Sequence, residues 1–171
     1  MKAILMSIRP EWVAKILNGE KTIEIRQSAP KMRLPREVYI YCTKQIPSCT
    51  LANTPEGIMC VYPYFPDGES RFCGKVVAKF TLRKVEGYKT WDSFNIVRIN
   101  SGDKCSPFEI LKCSCLSGNE LTEYLGGISG KTFYAWYISD LVYFARPKEL
   151  SEFGVKRAPQ SWQYIEIEEE E

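Results

Sequence analysis

The sequence contains no histidine, and this absence excludes several classes of site. Without imidazole the chain cannot form a Ser-His-Asp or Cys-His nucleophile, nor a zinc site that needs histidine ligands. Its seven cysteines include no C-x-x-C pair, and their odd number without framework spacing argues against a disulfide scaffold. A zinc site built from Cys105, Cys113 and Cys115 would need a fourth ligand from a distant part of the chain. We therefore predict neither a metal site nor a cofactor.

Long apolar runs are also absent. No stretch approaches the roughly 20 residues of a membrane-spanning helix. The N-terminal segment MKAILMSI has one lysine and an apolar run too short for a secretory signal, and it leads directly to Arg9-Pro10. We therefore expect a cytoplasmic protein that does not bind a membrane.

The net charge is only +2, but the charges are unevenly distributed. Residues 1–50 hold nine Lys or Arg against four Glu, a balance of +5, whereas residues 149–171 hold two against seven Glu, a balance of −5. The basic segment could attract phosphate through a salt-dependent field. Both segments also fit ordinary solvated surfaces, so charge alone does not identify a partner.

Hydrophobic periodicity predicts many strands with a few short helices between them. Strands are predicted at residues 2–8, 21–27, 37–43, 74–85 and 131–147, and from Ser161 onward. Helices are predicted at residues 10–19, after a capping box at Ser117 and Glu120, and as one or two turns opened by Pro147. This pattern favours a small curled sheet or barrel over a βαβ series.

Two segments stand apart from this pattern. Residues 44–72 look irregular, because four prolines interrupt any regular ladder, and such a long insertion is uncommon in a compact domain. Residues 168–171 form an acidic tail. No linker separates two parts of the chain, so we predict one domain over residues 1–171.

The octapeptide GEKTIEIR, residues 19–26, puts five ionisable or hydroxyl side chains into eight positions. Strand alternation places Thr22, Glu24 and Arg26 on one face and the two isoleucines on the other. The polar face could be solvated, with a weak ion pair. If the sheet curls, it could instead line a concavity, where Glu24 would need partners and Lys21 and Arg26 are the nearest candidates. Periodicity leaves both interpretations open.

A second polar and aromatic group lies toward the C-terminus. It comprises Trp136, Tyr137, Ser139, Arg157, Gln160, Ser161 and Trp162. Tryptophan faces near arginine and amide donors suit a stacked base, although each aromatic side chain could equally fill the core.

Four segments together resemble the ASCH domain family of the PUA-like superfamily. They are residues 1–31, GKVVAKFTL, AWYISDLVYFARPKELSEFG and KRAPQSWQYIEI. The most specific part is G-x-K-T-x-E-x-R after a helix. The resemblance implies a mainly β (α+β) fold: a PUA-like small mixed β-barrel decorated with two or three short helices. It also implies a cleft, beside residues 19–26, that binds RNA or a nucleotide-like ligand.

Some members of the family are amidohydrolases that remove acyl groups from the exocyclic amine of cytidine. Their motif resembles G-x-K-T-x-T-x-R. Lys21 matches its lysine, but Glu24 stands where the nucleophilic threonine is expected. A glutamate cannot perform that acyl transfer, although Glu24 could act as a base on water with Lys21 as its electrostatic partner. Related chains commonly have histidine where Tyr137 stands, so this chain lacks that imidazole.

We therefore predict a binding module for RNA or a modified nucleoside, with a cleft floored by residues 19–26. Lys21 and Arg26 would contact phosphate or a base edge, and Glu24 would accept from an exocyclic amine. The predicted ligand-binding residues are Ser7, Arg9, Lys21, Thr22, Glu24, Arg26, Trp136, Ser139, Arg157, Ser161 and Trp162.

Two alternatives stay open. The first is a hydrolase, acting on acylated cytidine-type nucleosides or on RNA, with Lys21 and Glu24 as catalytic residues. The second is a protein-interaction module that contacts its partner through residues 44–72.

Overall fold

The structure, a computed structural model, describes residues 1–44, 50–61, 72–91, 95–127 and 129–167. The side chains of Thr50, Cys60, Val61 and Cys105 are not described. Strands account for 46% of the structure and helices for 19%, which confirms a mainly β fold with short helices. In the described part of the chain the strand pairings do not close into a barrel.

The described strands are β1 (Lys2–Ile8), β2 (Ile23–Arg26), β3 (Arg36–Cys42), β4 (Thr50–Thr54), β5 (Gly57–Val61), β6 (Val76–Thr90), β7 (Ile96–Arg98), β8 (Lys104–Cys105), β9 (Thr132–Lys148) and β10 (Trp162–Glu166). The described helices are α1 (Pro10–Leu17), α2 (Phe108–Ser114), α3 (Gly118–Leu125) and a 3-10 turn at Leu150–Phe153. None of them is long and apolar enough to cross a membrane.

Two of the three predicted helices are confirmed as α1 and α3, and their ends follow the local chemistry. The third was expected to open at Pro147, but Pro147 still lies in β9 and the helical turn is the 3-10 turn at Leu150–Phe153. Pro10 occupies the first turn of α1, where its missing N–H leaves no bond unmade. At α3 the Ser117 hydroxyl accepts from the Glu120 N–H while the Glu120 carboxylate accepts from the Ser117 N–H. This reciprocal capping box satisfies two donors that the helix itself cannot.

Several elements differ from the prediction. The segment 44–72 is not irregular throughout, because β4 and β5 form an antiparallel hairpin with Pro55 in its turn. Helix α2 was not predicted, and β6 extends to Thr90, five residues beyond its expected end. Residues 45–49 and 62–71, which carry most of the predicted protein-contact segment, lie outside the described residues, as does the acidic tail.

The chain forms two compact units, and strands β6 and β9 contribute residues to both. The first unit comprises Met1–Gly19, Arg36–Thr81 and Ser139–Glu171. Within it, β1 pairs in parallel with β3 and antiparallel with β10, and β3 pairs with β6. Its buried cluster is formed by Ala3, Leu5, Tyr39, Tyr41, Val76, Val155 and Ile165.

The second unit comprises Glu20–Pro35 and Leu82–Ile138. Within it, β2 pairs antiparallel with β9, and the end of β6 pairs with β7, which pairs with β8. Its buried cluster is formed by Ile23, Ile25, Tyr88, Ile96, Ile110, Leu121, Leu125, Phe133 and Ala135. The isoleucines of GEKTIEIR therefore face this core, as strand alternation requires.

Candidate functional site

Three charged side chains of GEKTIEIR are buried together in the second unit. Lys21, Glu24 and Arg26 are 3%, 7% and 7% exposed. Lys21 Nζ lies 3.2 Å from Glu24 Oε2, and Arg26 Nη2 lies 3.0 Å from Glu24 Oε1. Each oxygen of one carboxylate therefore contacts a different cation. We call these three residues the charged brace.

Backbone contacts fix the position of the charged brace. The Thr22 N–H donates to the Cys113 carbonyl over 2.9 Å, and the Thr22 carbonyl accepts from the Ile138 N–H over 3.0 Å. Glu24 lies opposite Trp136 in the β2–β9 register. The segment carrying the brace is thus held between α2 and β9.

Lys21 has a second partner at the end of α2. Its ammonium donates to the Ser114 carbonyl over 2.6 Å, and Ser114 is fully buried. The last carbonyls of a helix have no partner within the helix, and the C-terminal end carries partial negative charge. Lys21 therefore satisfies a carbonyl that α2 leaves open, and no sequence motif indicated this contact.

Burying these charges has a large electrostatic cost that their mutual contacts offset. Removing the Glu24 carboxylate would take from both cations the anion that each contacts, and breaking a buried ion pair in this way typically costs about 3–5 kcal/mol. The charged brace holds two cations and one carboxylate, so its own balance is +1. Within these three side chains the positive and negative charges therefore do not cancel.

The burial excludes one of the two interpretations of this strand. A solvated face would expose Glu24 and Arg26 as it exposes Thr22, and only Thr22 is exposed. The arrangement observed is an ion-paired brace.

Trp136 lies on the same ladder, in the core. Its side chain is fully buried, and its indole N–H donates to the Ser28 carbonyl over 3.2 Å. The ring therefore offers no exposed face for stacking in this structure, contrary to one of the two roles considered for it. Other segments cover β9 at this position, and the apolar sequence of the strand alone does not predict that it is covered.

Tyr124 is an exposed aromatic side chain that the sequence did not identify as a site residue. It lies on α3, is 40% exposed, and its carbonyl accepts from Gln27 Nε2 over 2.8 Å. Desolvation raises the pKa of Tyr124, and smaller opposing contributions from Arg26 and Glu24 place its phenol within electrostatic reach of the charged brace. Helical periodicity puts Tyr124 on the apolar face with Leu121 and Leu125.

A second polar cluster is centred on Glu86, which no sequence motif indicated. Glu86 Oε2 accepts from the hydroxyls of Tyr137 and Tyr88 over 2.6 and 2.8 Å. Lys84 Nζ lies 3.1 Å from Glu86 Oε1, and Arg98 Nε lies 3.6 Å from the same oxygen. Burial alone would raise the pKa of Glu86, but the hydrogen bonds from the tyrosines and Lys84 outweigh it and lower that pKa to about 2.

Tyr137 thus serves as a hydrogen-bond donor to Glu86. Burial and the Glu86 hydrogen bond raise the pKa of Tyr137 far above its usual value, so it stays protonated. Tyr137 pairs with Ile23 and Trp136 pairs with Glu24, and consecutive residues of a strand point to opposite faces. The Glu86 cluster and the charged brace therefore lie on opposite faces of the β2–β9 ladder.

The other predicted site residues belong to the first unit. The Ser7 hydroxyl donates to the Pro159 carbonyl over 2.6 Å, and the Ser7 N–H donates to the Ser161 carbonyl over 2.9 Å. Trp162 is half-buried and packs edge-on against Tyr164, with ring centroids 5.4 Å apart. The structure thus brings Ser7, Ser161 and Trp162 to one end of the β1–β10 pair.

The remaining first-unit residues differ in exposure. Arg9 and Arg157 are exposed, and Ser139 is half-buried on β9. No group of three or more His, Cys, Asp or Glu side chains lies close enough to hold a metal ion among the described side chains, which do not include that of Cys105.

Fold and site together define a small α+β protein with a buried, net-positive brace on its second strand. The model of the ASCH domain matches residues 6–149, and the chain therefore belongs to the ASCH domain family. That family is generally regarded as RNA-binding. A search of curated protein sequences found no match.

Solved structures of an ASCH protein from Zymomonas mobilis share this fold. The ASCH structure itself matches with a TM-score of 0.62 and 17% identity, over 96% of this chain and 87% of the other. A mutant of that protein with phenylalanine in place of a tyrosine matches with a TM-score of 0.61 and 17% identity, over 97% and 91%. A second mutant, with alanine in place of a serine, matches with a TM-score of 0.61 and 16% identity, over 96% and 88%. At these identities the similarity concerns the fold alone.

Proposed function

We propose that this protein binds single-stranded RNA at the surface beside the charged brace. The observation that carries the proposal is the +1 balance of Lys21, Glu24 and Arg26, which are held together almost out of water. A phosphate at that surface gains from a positive charge that solvent screens little. Membership of the ASCH domain family also supports RNA binding.

Glu24 holds the two cations in place and keeps a role in base recognition. Both of its oxygens already contact a cation. A carboxylate oxygen has two lone pairs, so each oxygen can also accept a hydrogen bond from the exocyclic amine of a base. Glu24 thus positions Lys21 and Arg26 while its remaining lone pairs read the ligand.

Tyr124 supplies the aromatic face that Trp136 does not. Its side chain is 40% exposed and lies within electrostatic reach of Arg26. Single-stranded RNA presents unstacked bases, and an aromatic ring beneath a base is worth about 1–3 kcal/mol. The exposed Thr22 lies at the same end of the strand and can contact the RNA backbone.

The test is fluorescence anisotropy with a labelled single-stranded RNA of about ten nucleotides, within the usual range of site sizes. Lys21→Met, which keeps the length of the side chain, is expected to raise Kd about tenfold and to reduce the salt slope by about 0.7. Tyr124→Leu is expected to raise Kd about tenfold without changing the salt slope.

The matched control is Lys112→Gln, which removes an exposed lysine of α2 in the same unit. It should leave Kd within about twofold of the wild type, because an isolated surface charge contributes little. RNA binding that is indifferent to both Lys21→Met and an Arg26→Met change would overturn the proposal.

One observation favours hydrolysis as a second function. A Lys21–Glu24 pair acting on water must lie within hydrogen-bond reach, and the two groups are 3.2 Å apart. The test incubates the protein with N4-acylated cytidine and with short RNA, comparing the wild type with Glu24→Gln. Turnover by the wild type that is lost in Glu24→Gln, measured at a temperature where circular dichroism shows the variant to be folded, would establish an enzyme. Saturable binding without turnover by the wild type would establish a binding module.

A further inference from the structure

The first unit contains a cleft that includes none of the predicted site residues. It has a volume of about 540 Å³ and is lined in part by Tyr41, Lys44, Glu149, Leu150, Val155 and Lys156. Ligand pockets for small molecules typically measure about 300–1,000 Å³ and combine apolar walls with a few polar groups. This cleft has both the volume and the mixed lining of such a site.

Tyr41 is a largely buried polar residue in the lining of this cleft. The residue is only 6% exposed, and its hydroxyl makes no hydrogen bond to any described residue. The Tyr41 oxygen is not among the fully buried polar atoms that lack a partner, so the hydroxyl is accessible from the cleft and available to donate to a ligand. Burial raises the pKa of Tyr41, with further contributions from Cys42, Cys73 and Glu149, so the hydroxyl remains a donor at neutral pH.

The charges around the cleft favour an anion. Lys44 and Lys156 are exposed, and neither forms an ion pair with a described residue. Glu149 is the acidic side chain of the lining, and it is already ion-paired with Lys75. The cleft is therefore flanked by two ammonium groups that have no ion-pair partner among the described residues. The carboxylate of Glu149 is neutralised by Lys75.

Gly74 shapes the floor of the cleft beneath Lys44. Its φ is +79°, a conformation that other residues rarely adopt, and a Cβ at this position would lie 2.7 Å from Lys44 Cε. The absence of a side chain at Gly74 thus lets Lys44 lie across the backbone at the edge of the cleft.

We propose that this cleft binds a small molecule with a phosphomonoester group and an apolar or aromatic body, such as a nucleoside monophosphate. A phosphomonoester carries a charge of about −1.5 to −2 at neutral pH, which matches two lysines better than a single carboxylate does. The Tyr41 hydroxyl donates to a phosphate oxygen, Lys44 and Lys156 neutralise the phosphate, and Leu150 and Val155 contact the body. This site is separate from the proposed RNA-binding surface, and neither proposal depends on the other.

The test is isothermal titration calorimetry of the full chain with adenosine 5′-monophosphate, inorganic phosphate and adenosine. We expect saturable binding of the monophosphate, weaker binding of phosphate, and binding of adenosine reduced at least tenfold. Tyr41→Phe removes only the hydroxyl and is expected to raise Kd about tenfold, the usual effect of losing a hydrogen bond to a charged group. Because that hydroxyl has no partner among the described residues, the melting temperature without ligand should not fall.

Charge variants complete the experiment. Lys44→Gln and Lys156→Gln should each raise Kd severalfold, whereas Lys2→Gln, an exposed lysine of the same unit outside the cleft, should not. Lys21→Met should leave nucleotide binding unchanged, and Tyr41→Phe should leave RNA binding unchanged. The proposal is overturned if the monophosphate does not bind the wild type. It is equally overturned if Tyr41→Phe and Lys44→Gln bind it like the wild type, or if only Lys21→Met abolishes binding.

Discussion

Replacing Glu24 by glutamine should destabilise this protein far more than the same change elsewhere on its surface. Glutamine keeps the size of the side chain but removes the negative charge. Lys21 and Arg26, which are 3% and 7% exposed, would then lie around a neutral amide and would lose the Glu24 carboxylate that each of them contacts. The Ser114 carbonyl would still accept from Lys21.

The expected loss is about 3–5 kcal/mol, the usual cost of removing one partner from a buried ion pair. For a chain of this length a change of 1 kcal/mol shifts the melting temperature by about 2–4 °C. Glu24→Gln should therefore lower the melting temperature by roughly 6–20 °C. Circular dichroism during thermal and urea unfolding measures both quantities.

Two further variants make the measurement decisive. Glu37→Gln breaks the half-exposed pair with Lys79, which is 2.6 Å long, and should cost only about 1 kcal/mol because solvent screens it. A triple change of Lys21→Met, Glu24→Leu and Arg26→Met removes all three charges and should recover most of the stability lost by Glu24→Gln. If Glu24→Gln costs no more than Glu37→Gln, the charged brace is not desolvated in solution and the reasoning fails.

Three other predictions concern the Glu86 cluster and a buried thiol. The pKa of Glu86 is lowered from 4.5 to about 2, so its stabilising contribution is present above pH 4.5 and is lost as the pH falls towards 2. The wild type should therefore lose roughly 2–4 kcal/mol more than Glu86→Gln over that window, and equal acid titrations of unfolding would contradict this. Tyr137→Phe removes the 2.6 Å hydrogen bond to Glu86 and should raise the carboxyl pKa, measurable by NMR titration; an unchanged pKa would refute the contact. Cys42 is fully buried, and its hydrogen bond to Cys73 and its burial raise its pKa well above the usual value, so iodoacetamide should label it only after unfolding, as mass spectrometry can check.

Local patterns predicted the elements of this fold better than they predicted burial. Strand alternation put Ile23 and Ile25 on one face, and both belong to a buried cluster; the Ser117 capping box correctly predicted the start of a helix. The hairpin at residues 50–61 was missed because prolines recur through its segment, whereas Pro55 lies in the turn between the strands. A proline prevents its own position from donating a hydrogen bond to a neighbouring strand, but it does not prevent the surrounding segment from forming a hairpin.

The site depended on contacts that no local pattern contains. Lys21 meets the Ser114 carbonyl across 93 residues of sequence, and Trp136 meets the Ser28 carbonyl across 108. Period-2 alternation identifies which side chains share a face, but only these distant segments determine whether that face is covered. The burial of the Tyr41 residue could not be predicted for the same reason, because the alternation of EVYIYCT places large side chains on both faces of the strand.

The contacts of both Glu24 oxygens with cations distinguish RNA binding from hydrolysis better than the distance between Lys21 and Glu24 does. A general base must receive a proton, and Glu24 has one oxygen 3.2 Å from Lys21 and the other 3.0 Å from Arg26. Taking a proton from water would place a neutral acid between two buried cations, which is the arrangement that Glu24→Gln imitates. The proposed RNA binding requires no such step, because the charged brace would stay intact when the ligand binds. A large loss of stability in Glu24→Gln therefore argues for binding over hydrolysis, since the same energy opposes protonation of Glu24 during turnover.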